Sequence, residues 1–177
     1  MPSNAASRSA AASTACEAAG EGRQVTTASL PALRLFTEAS AVADGGDQSR
    51  ARELLEEALP RCRTRHAEGR ILLKMAVTLE QKGDWLKAIE MLEKASSRID
   101  PRKEPRLLWN VRFSTGVNLC SASRHGEALE LLPEVRRLAL QLGNGLDLLR
   151  VRWLDALVSA GLGRTAKAVD DLEYVSG

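Results

Sequence analysis

The chain has 177 residues, 44% hydrophobic and 27% charged, with a formal net charge of +2. That is enough for one globular domain with a core, and the charge is too mild to argue for nucleic acid by itself. Aromatic residues are only 3% while Ala and Leu abound, a mixture that favours helices over sheet sandwiches. Three scattered cysteines, Cys16, Cys62 and Cys120, include no C-x-x-C, which argues against a disulfide framework and for a reducing, cytoplasmic setting. No apolar run approaches the roughly 20 residues of a membrane span, and the N-terminus lacks the apolar stretch of a secretory signal.

Residues 1–28 are read as a disordered Ala/Ser-rich segment and residues 29–177 as the ordered domain. The first 24 residues carry no large apolar side chain after Met1, so they cannot bury enough surface to offset their ordering entropy. Their two arginines and two glutamates also set them apart from an acid-poor organelle leader.

From about Ser29 the pattern turns helical, with Leu30, Leu33, Phe36 and Ala39 spaced for one face. Asp44-Gly45-Gly46-Asp47 breaks it, and Asp47 suits the N-cap of the next helix. A second pair is predicted at about 66–82 and 85–97, divided by Gly83 as a left-handed terminator and Asp84 as an N-cap. Pro105 fits the first turn of a helix over about 106–122. Its partner runs over about 126–142, closed by Gly143-Asn144-Gly145. The last pair covers about 146–160 and 165–175. Pro60 and Pro133 fall late in their helices, where each should kink or shorten the helix.

Four stretches of the chain align. A turn residue (Gly46, Gly83, Ser123, Gly163) is followed five places later by Ala51, Ala88, Ala128 and Ala168. Leu55, Leu92, Leu132 and Leu172 follow four places on, then Ala58, Ala95, Val135 and Val175. Seven residues before each turn stands a small residue: Ala39, Ala76, Gly116, Ala156. The Ala-to-Ala spacings are 37, 40 and 40. A repeat of that length means stacked helix pairs, in which the small residues let the first helix approach the Ala of the second. The expected fold is an all-α solenoid of about four antiparallel helix pairs.

Gly83-Asp84-Trp85, Ala88, Leu92 and Ala95 followed by Asp100-Pro101 form the clearest copy, and here the chain resembles the tetratricopeptide repeat. Gly116, Leu119, Ala128 and Leu132, and Ala156, Gly163, Ala168 and Leu172, form further copies. The likeness spans roughly residues 30–175, at repeats longer than the usual 34 residues of the family. Repeats of that length look like those of bacterial regulators and signalling proteins. The resemblance implies a TPR-like superhelix and a concave groove, lined by first helices, that holds a peptide or partner helix.

No enzyme motif survives inspection. His66 and His125 stand alone, read as loop histidines, so no metal is expected. Gly161-Leu162-Gly163-Arg164-Thr165-Ala166 misses the last glycine of the dinucleotide fingerprint and follows a helix rather than a strand. Cys120 has no paired His and reads as a small buried hydrophobe. No cofactor and no catalytic residue are expected.

Two surfaces are candidates for binding. Leu73 and Val77, Phe113 and Val117, and Trp153 and Leu157 stand three before and one after the small residues, each pair on one helix face. Arg70, Asn110 and Arg150 lie three residues before each pair. Together they predict an apolar stripe bordered by polar groups, a surface of the binding kind. Leu73 and Val77 replace the Lys and Asn of the clamp that grips acidic peptide tails in some tetratricopeptide domains. The second surface is a basic edge at two connectors: Arg61, Arg63, Arg65 and Arg70 at one; Arg98, Arg102, Lys103 and Arg106 at the next. Its simplest reading is a solvated edge, since no aromatics interleave as in single-strand binders.

The expected activity is thus a non-enzymatic protein-interaction module with a protein or peptide partner, within a larger regulatory or signalling system. The alternatives are a nucleic-acid-binding solenoid using the basic edge, or a structural tail of a larger protein. No membrane partner is expected. Self-association is a further expectation, because the last repeat has no polar capping helix.

Overall fold

The computed structural model describes residues 30–176, and the side chains of 171, 172, 174 and 176 lie outside that description. The predicted N-terminal segment and Cys16 fall outside the described residues too. Among the described residues eight α-helices follow one another: α1 Leu30–Asp44, α2 Gln48–Ala58, α3 Arg65–Gln81, α4 Trp85–Ser96, α5 Pro105–Ser121, α6 His125–Leu142, α7 Gly145–Gly161 and α8 Thr165–Ser176. They pack as four consecutive hairpins, and each second helix also packs on the first helix of the next pair. First helices touch along the stack, α3 on α5 and α5 on α7.

The repeat register maps onto the core. Ala51, Ala88, Ala128 and Ala168 are buried, as are Leu55, Leu92 and Leu132, and Ala58, Ala95 and Val135. The small residues of the first helices are buried as well. All four aligned turn residues adopt positive φ: Gly46 93°, Gly83 76°, Ser123 61° and Gly163 75°. Each turn closes alike: the turn residue's N–H reaches back three residues, and the next N–H reaches back five, as in Gly83 to Glu80 and Asp84 to Leu79. These bonds satisfy carbonyls that a helix end leaves open.

Asp47 caps α2 by accepting from the Arg50 N–H at 2.9 Å, and Pro105 opens α5. Other local expectations are corrected. Asp84 sits at the N-cap of α4 but makes no capping bond; its carboxylate is taken by Lys87 at 2.6 Å. Pro133 lies inside α6 without shortening it, and its side chain faces solvent. Pro60 stands past α2, in a 3-10 turn over Leu59–Arg61. Both histidines stand in first helical turns rather than loops. The buried face of α1 runs through Ala32, Ala39 and Ala43, with Leu35, Phe36 and Val42 packed beside it. Leu30 and Leu33 are 43% and 48% exposed, because among the described residues no helix pair precedes α1 to cover them.

Gly116 shows why a small residue is needed, and the reason differs from the expected one. A Cβ there would come 2.7 Å from Leu154 Cδ2. The closest approach is therefore to α7 of the next pair rather than to Ala128 within its own hairpin.

Candidate functional site

The six predicted stripe residues lie on α3, α5 and α7, and all are half-buried. Leu73 and Phe113 pack against the larger core cluster, while Phe113, Val117 and Trp153 pack against the smaller one. Phe113 and Trp153 face each other across α5 and α7, with ring centroids 6.3 Å apart and planes 38° apart. Phe113 also stacks on Trp109, one turn earlier, at 5.1 Å and 12°. Trp109 is 1% exposed, so the ladder Trp109–Phe113–Trp153 joins the core to the surface stripe. Such ring pairs add about 0.5–1.5 kcal/mol beyond the area they bury.

The polar border is less uniform than its spacing suggests. The Arg70 guanidinium lies over the Phe36 ring at 5.4 Å. Arg150 Nη1 is 3.8 Å from Asp147 Oδ1, and Asn110 is half-buried. Phe36 shares the offset of the stripe residues but is not one of the six. It stands three before Ala39, as Leu73, Phe113 and Trp153 stand before their small residues, so its offset could have found it. Trp109, four before Phe113 on one helix face, carried a similar signal.

Deeper in the stack, Asn118 Nδ2 donates to Glu80 of α3 and, at 2.8 Å, to the Ser114 carbonyl. Burial pushes the Glu80 carboxyl above the ordinary carboxylate range, and the Asn118 bond only partly opposes this. The Asn118 Oδ1 atom is buried with no partner among the described residues.

The basic-edge residues divide. Arg61 pairs with Glu57 at 2.8 Å, and with Arg63 it lines a cleft beside Pro60 and Cys62. Arg65 donates to the Ser97 carbonyl and lines a second cleft with Arg98 and Lys103. That cleft also holds Asp100 and Glu104, and Arg98 pairs with Glu68 at 3.0 Å. Arg102 is exposed. Arg106 turns away to the buried Asp147 at 2.6 Å and lies over Trp109. The two connectors thus bring Arg65, Arg98 and Lys103 together, with acids interspersed, and leave Arg61, Arg63 and Arg106 elsewhere.

His66 pairs with Glu104; desolvation, helped by Arg70, lowers its pKa. The His125 ring lies against the backbone of Gly161, and its buried Nδ1 has no partner among the described residues. Burial raises the Cys62 and Cys120 thiols, opposite to the lowered pKa of a reactive cysteine. Among the described residues no group of three or more His, Cys, Asp or Glu could hold a metal ion. Among them, too, no helix is long and apolar enough to cross a membrane.

No family model and no curated protein matches the chain. Two crystal structures do, both of nearly identical TPR-like repeats assigned to a kinesin light chain of Podosopora anserina, one of them a point variant. Each is 20% identical over 82% of this chain and 73% of its own, with TM-scores of 0.69 and 0.67. A likeness at that identity concerns the fold, and the source is fungal rather than bacterial. The described residues form an all-helical solenoid with a TPR-like fold.

Proposed function

We propose that the protein is a non-enzymatic interaction scaffold whose first-helix face receives a peptide or partner helix. The observation that carries this reading is the aromatic pair Phe113–Trp153, half-buried and bridging two successive repeats. Leu73 and Val77 extend the surface on α3, Val117 and Leu157 extend it on α5 and α7, and Arg70, Asn110 and Arg150 border it. Large aromatic side chains that keep exposure on a repeat stack are the usual anchors of an interface. Burying what remains exposed of either ring contributes part of the about 1.5–3 kcal/mol that burying a whole exposed side chain gives. Repeat solenoids present extended concave binding surfaces of this kind, and the proposal includes a place in a larger regulatory assembly.

Affinity capture with the whole chain, identified by mass spectrometry, tests the reading when run beside Phe113→Glu and Trp153→Ala. Partners whose capture falls at least about tenfold with either variant, while circular dichroism keeps its helical signal, support it. Unfolding of both variants, or capture unaffected by either, would make these rings core residues only.

A further inference from the structure

The second helices of the pairs are not alike. α2 has 11 residues and α4 has 12, whereas α6 has 18 and runs on to Leu142. One side of α6 carries Leu129, Leu132, Pro133, Arg136 and Leu140 at spacings of three and four. Facing it, α7 places Asp155 and α8 places Lys167, and the three helices enclose a cleft of about 690 Å³. The cleft continues over Leu148 and Val151 of α7, sharing Arg136, Leu140, Asp155 and Lys167.

Three properties define what fits. Its walls are apolar and uncovered: Leu140 is 61% exposed, and Pro133 and Leu148 are exposed beside it. Among the described side chains its cations outnumber its acids: Arg136, Arg137 and Lys167 line it with Asp155, which accepts from Arg136 at 3.0 Å and Lys167 at 2.8 Å. Its apolar side is long: Leu129 to Leu140 is three helical turns, about 16 Å at 1.5 Å per residue. A compact organic acid spans too little of that length, while a short peptide segment matches it.

We infer that the cleft between α6, α7 and α8 docks a short amphipathic segment of a protein partner. Its apolar side chains meet Leu129, Pro133 and Leu140, and its flanking carboxylates meet Arg137 and Lys167. This surface is independent of the stripe proposed above. On α7 the cleft uses Leu148, Val151 and Asp155, and the stripe uses Trp153 and Leu157; two residues are about 200° of helical turn, so the two sets lie on opposite sides.

The test is a methyl NMR titration of the whole chain, leucine-labelled, with two synthetic helix-forming peptides. Both carry Leu at spacings of three and four; one is flanked by Glu and the other by Lys. The Glu peptide is expected to shift the methyls of Leu129, Leu140 and Leu148, and the Lys peptide is not. Arg137→Glu and Leu140→Ser should each weaken the Glu peptide at least about tenfold. Both residues are exposed and, among the described residues, Arg137 bonds to Gln141 within its own helix, so both variants are expected to keep the helical circular dichroism. Trp153→Ala should leave this binding unchanged. Equal response to both peptides, no shift in the cleft, or shifts confined to the Leu73 and Leu157 methyls would overturn the inference. So would concentration-dependent self-association that Leu140→Ser abolishes, which would make a second copy the occupant.

Discussion

Gly116 of α5 and Leu154 of α7 touch so closely that a β-carbon on the glycine would fall 2.7 Å from Leu154 Cδ2. Leu154 is fully buried, so it has little room to turn away. The contact couples the third pair to the fourth, and the spacing of α5 from α7 depends on the absence of a side chain at Gly116.

Gly116→Leu is therefore expected to overpack this contact and cost about 1–3 kcal/mol, read as a lower midpoint in thermal or urea unfolding. Gly116→Ala should cost less, because Leu154 needs only a methyl's worth of adjustment and alanine is the better helix former by about 1 kcal/mol. Unchanged stability in the leucine variant would refute the close contact.

Ser123 is the only non-glycine with positive φ among the described residues, at 61°, and its side chain is exposed. Its three aligned counterparts are glycines. A left-handed conformation costs an L-residue about 1–2 kcal/mol, and the greater freedom of glycine in the unfolded chain returns part of that. Ser123→Gly should accordingly raise stability by about 0.5–1 kcal/mol. A destabilised variant in urea unfolding would show that the serine side chain supports the turn.

The Glu80 carboxyl titrates above its ordinary range because it is desolvated. The folded state then holds this proton more tightly than the unfolded state. Stability from this group is present at acid pH and is lost as pH rises through the raised folded value. Glu80→Gln should be more stable than the parent near neutral pH and should flatten this part of the pH profile. The amide can still accept from Asn118 Nδ2, and it gains a donor for the unpartnered Asn118 Oδ1. A loss of stability at neutral pH, with the pH slope unchanged, would contradict the account.

Arg106 and Arg102 separate a structural cation from an edge cation. Arg106 holds the buried Asp147 at 2.6 Å; among the described residues, its removal leaves the carboxylate Arg150 at 3.8 Å. Arg106→Met should cost about 1–3 kcal/mol, less than a wholly buried pair because Arg106 is half exposed. Arg102→Met should stay within about 0.5 kcal/mol, as surface changes usually do. Equal effects in chemical unfolding would mean the pair to Asp147 contributes nothing.

Much of the architecture could be read from residue order because its determinants are local. Helical periodicity, Gly83 and Gly163 at turns, and Pro105 at a helix start act within a few residues. The predicted helix limits over the last three pairs accordingly fall within one residue of those in the structure. The expected stripe has the same local origin: a constant offset from Ala76, Gly116 and Ala156 selects one side of each first helix. Phe36, three before Ala39, obeys the same offset.

The amino-acid sequence by itself determined the helices, their pairing and the register of small residues that lets them stack. Tertiary structure alone decided which neighbour each face meets. That Gly116 answers to Leu154 and that Arg106 leaves the basic edge for Asp147 forty-one residues away depend on the rotation of one helix pair on the next. That rotation is set by the packing of side chains remote in the chain, and no periodicity within one helix encodes it. The cleft of α6, α7 and α8 has the same origin. Its apolar residues lie at ordinary helical spacings, and only the placement of α7 and α8 beside the long sixth helix turns them into a concave surface.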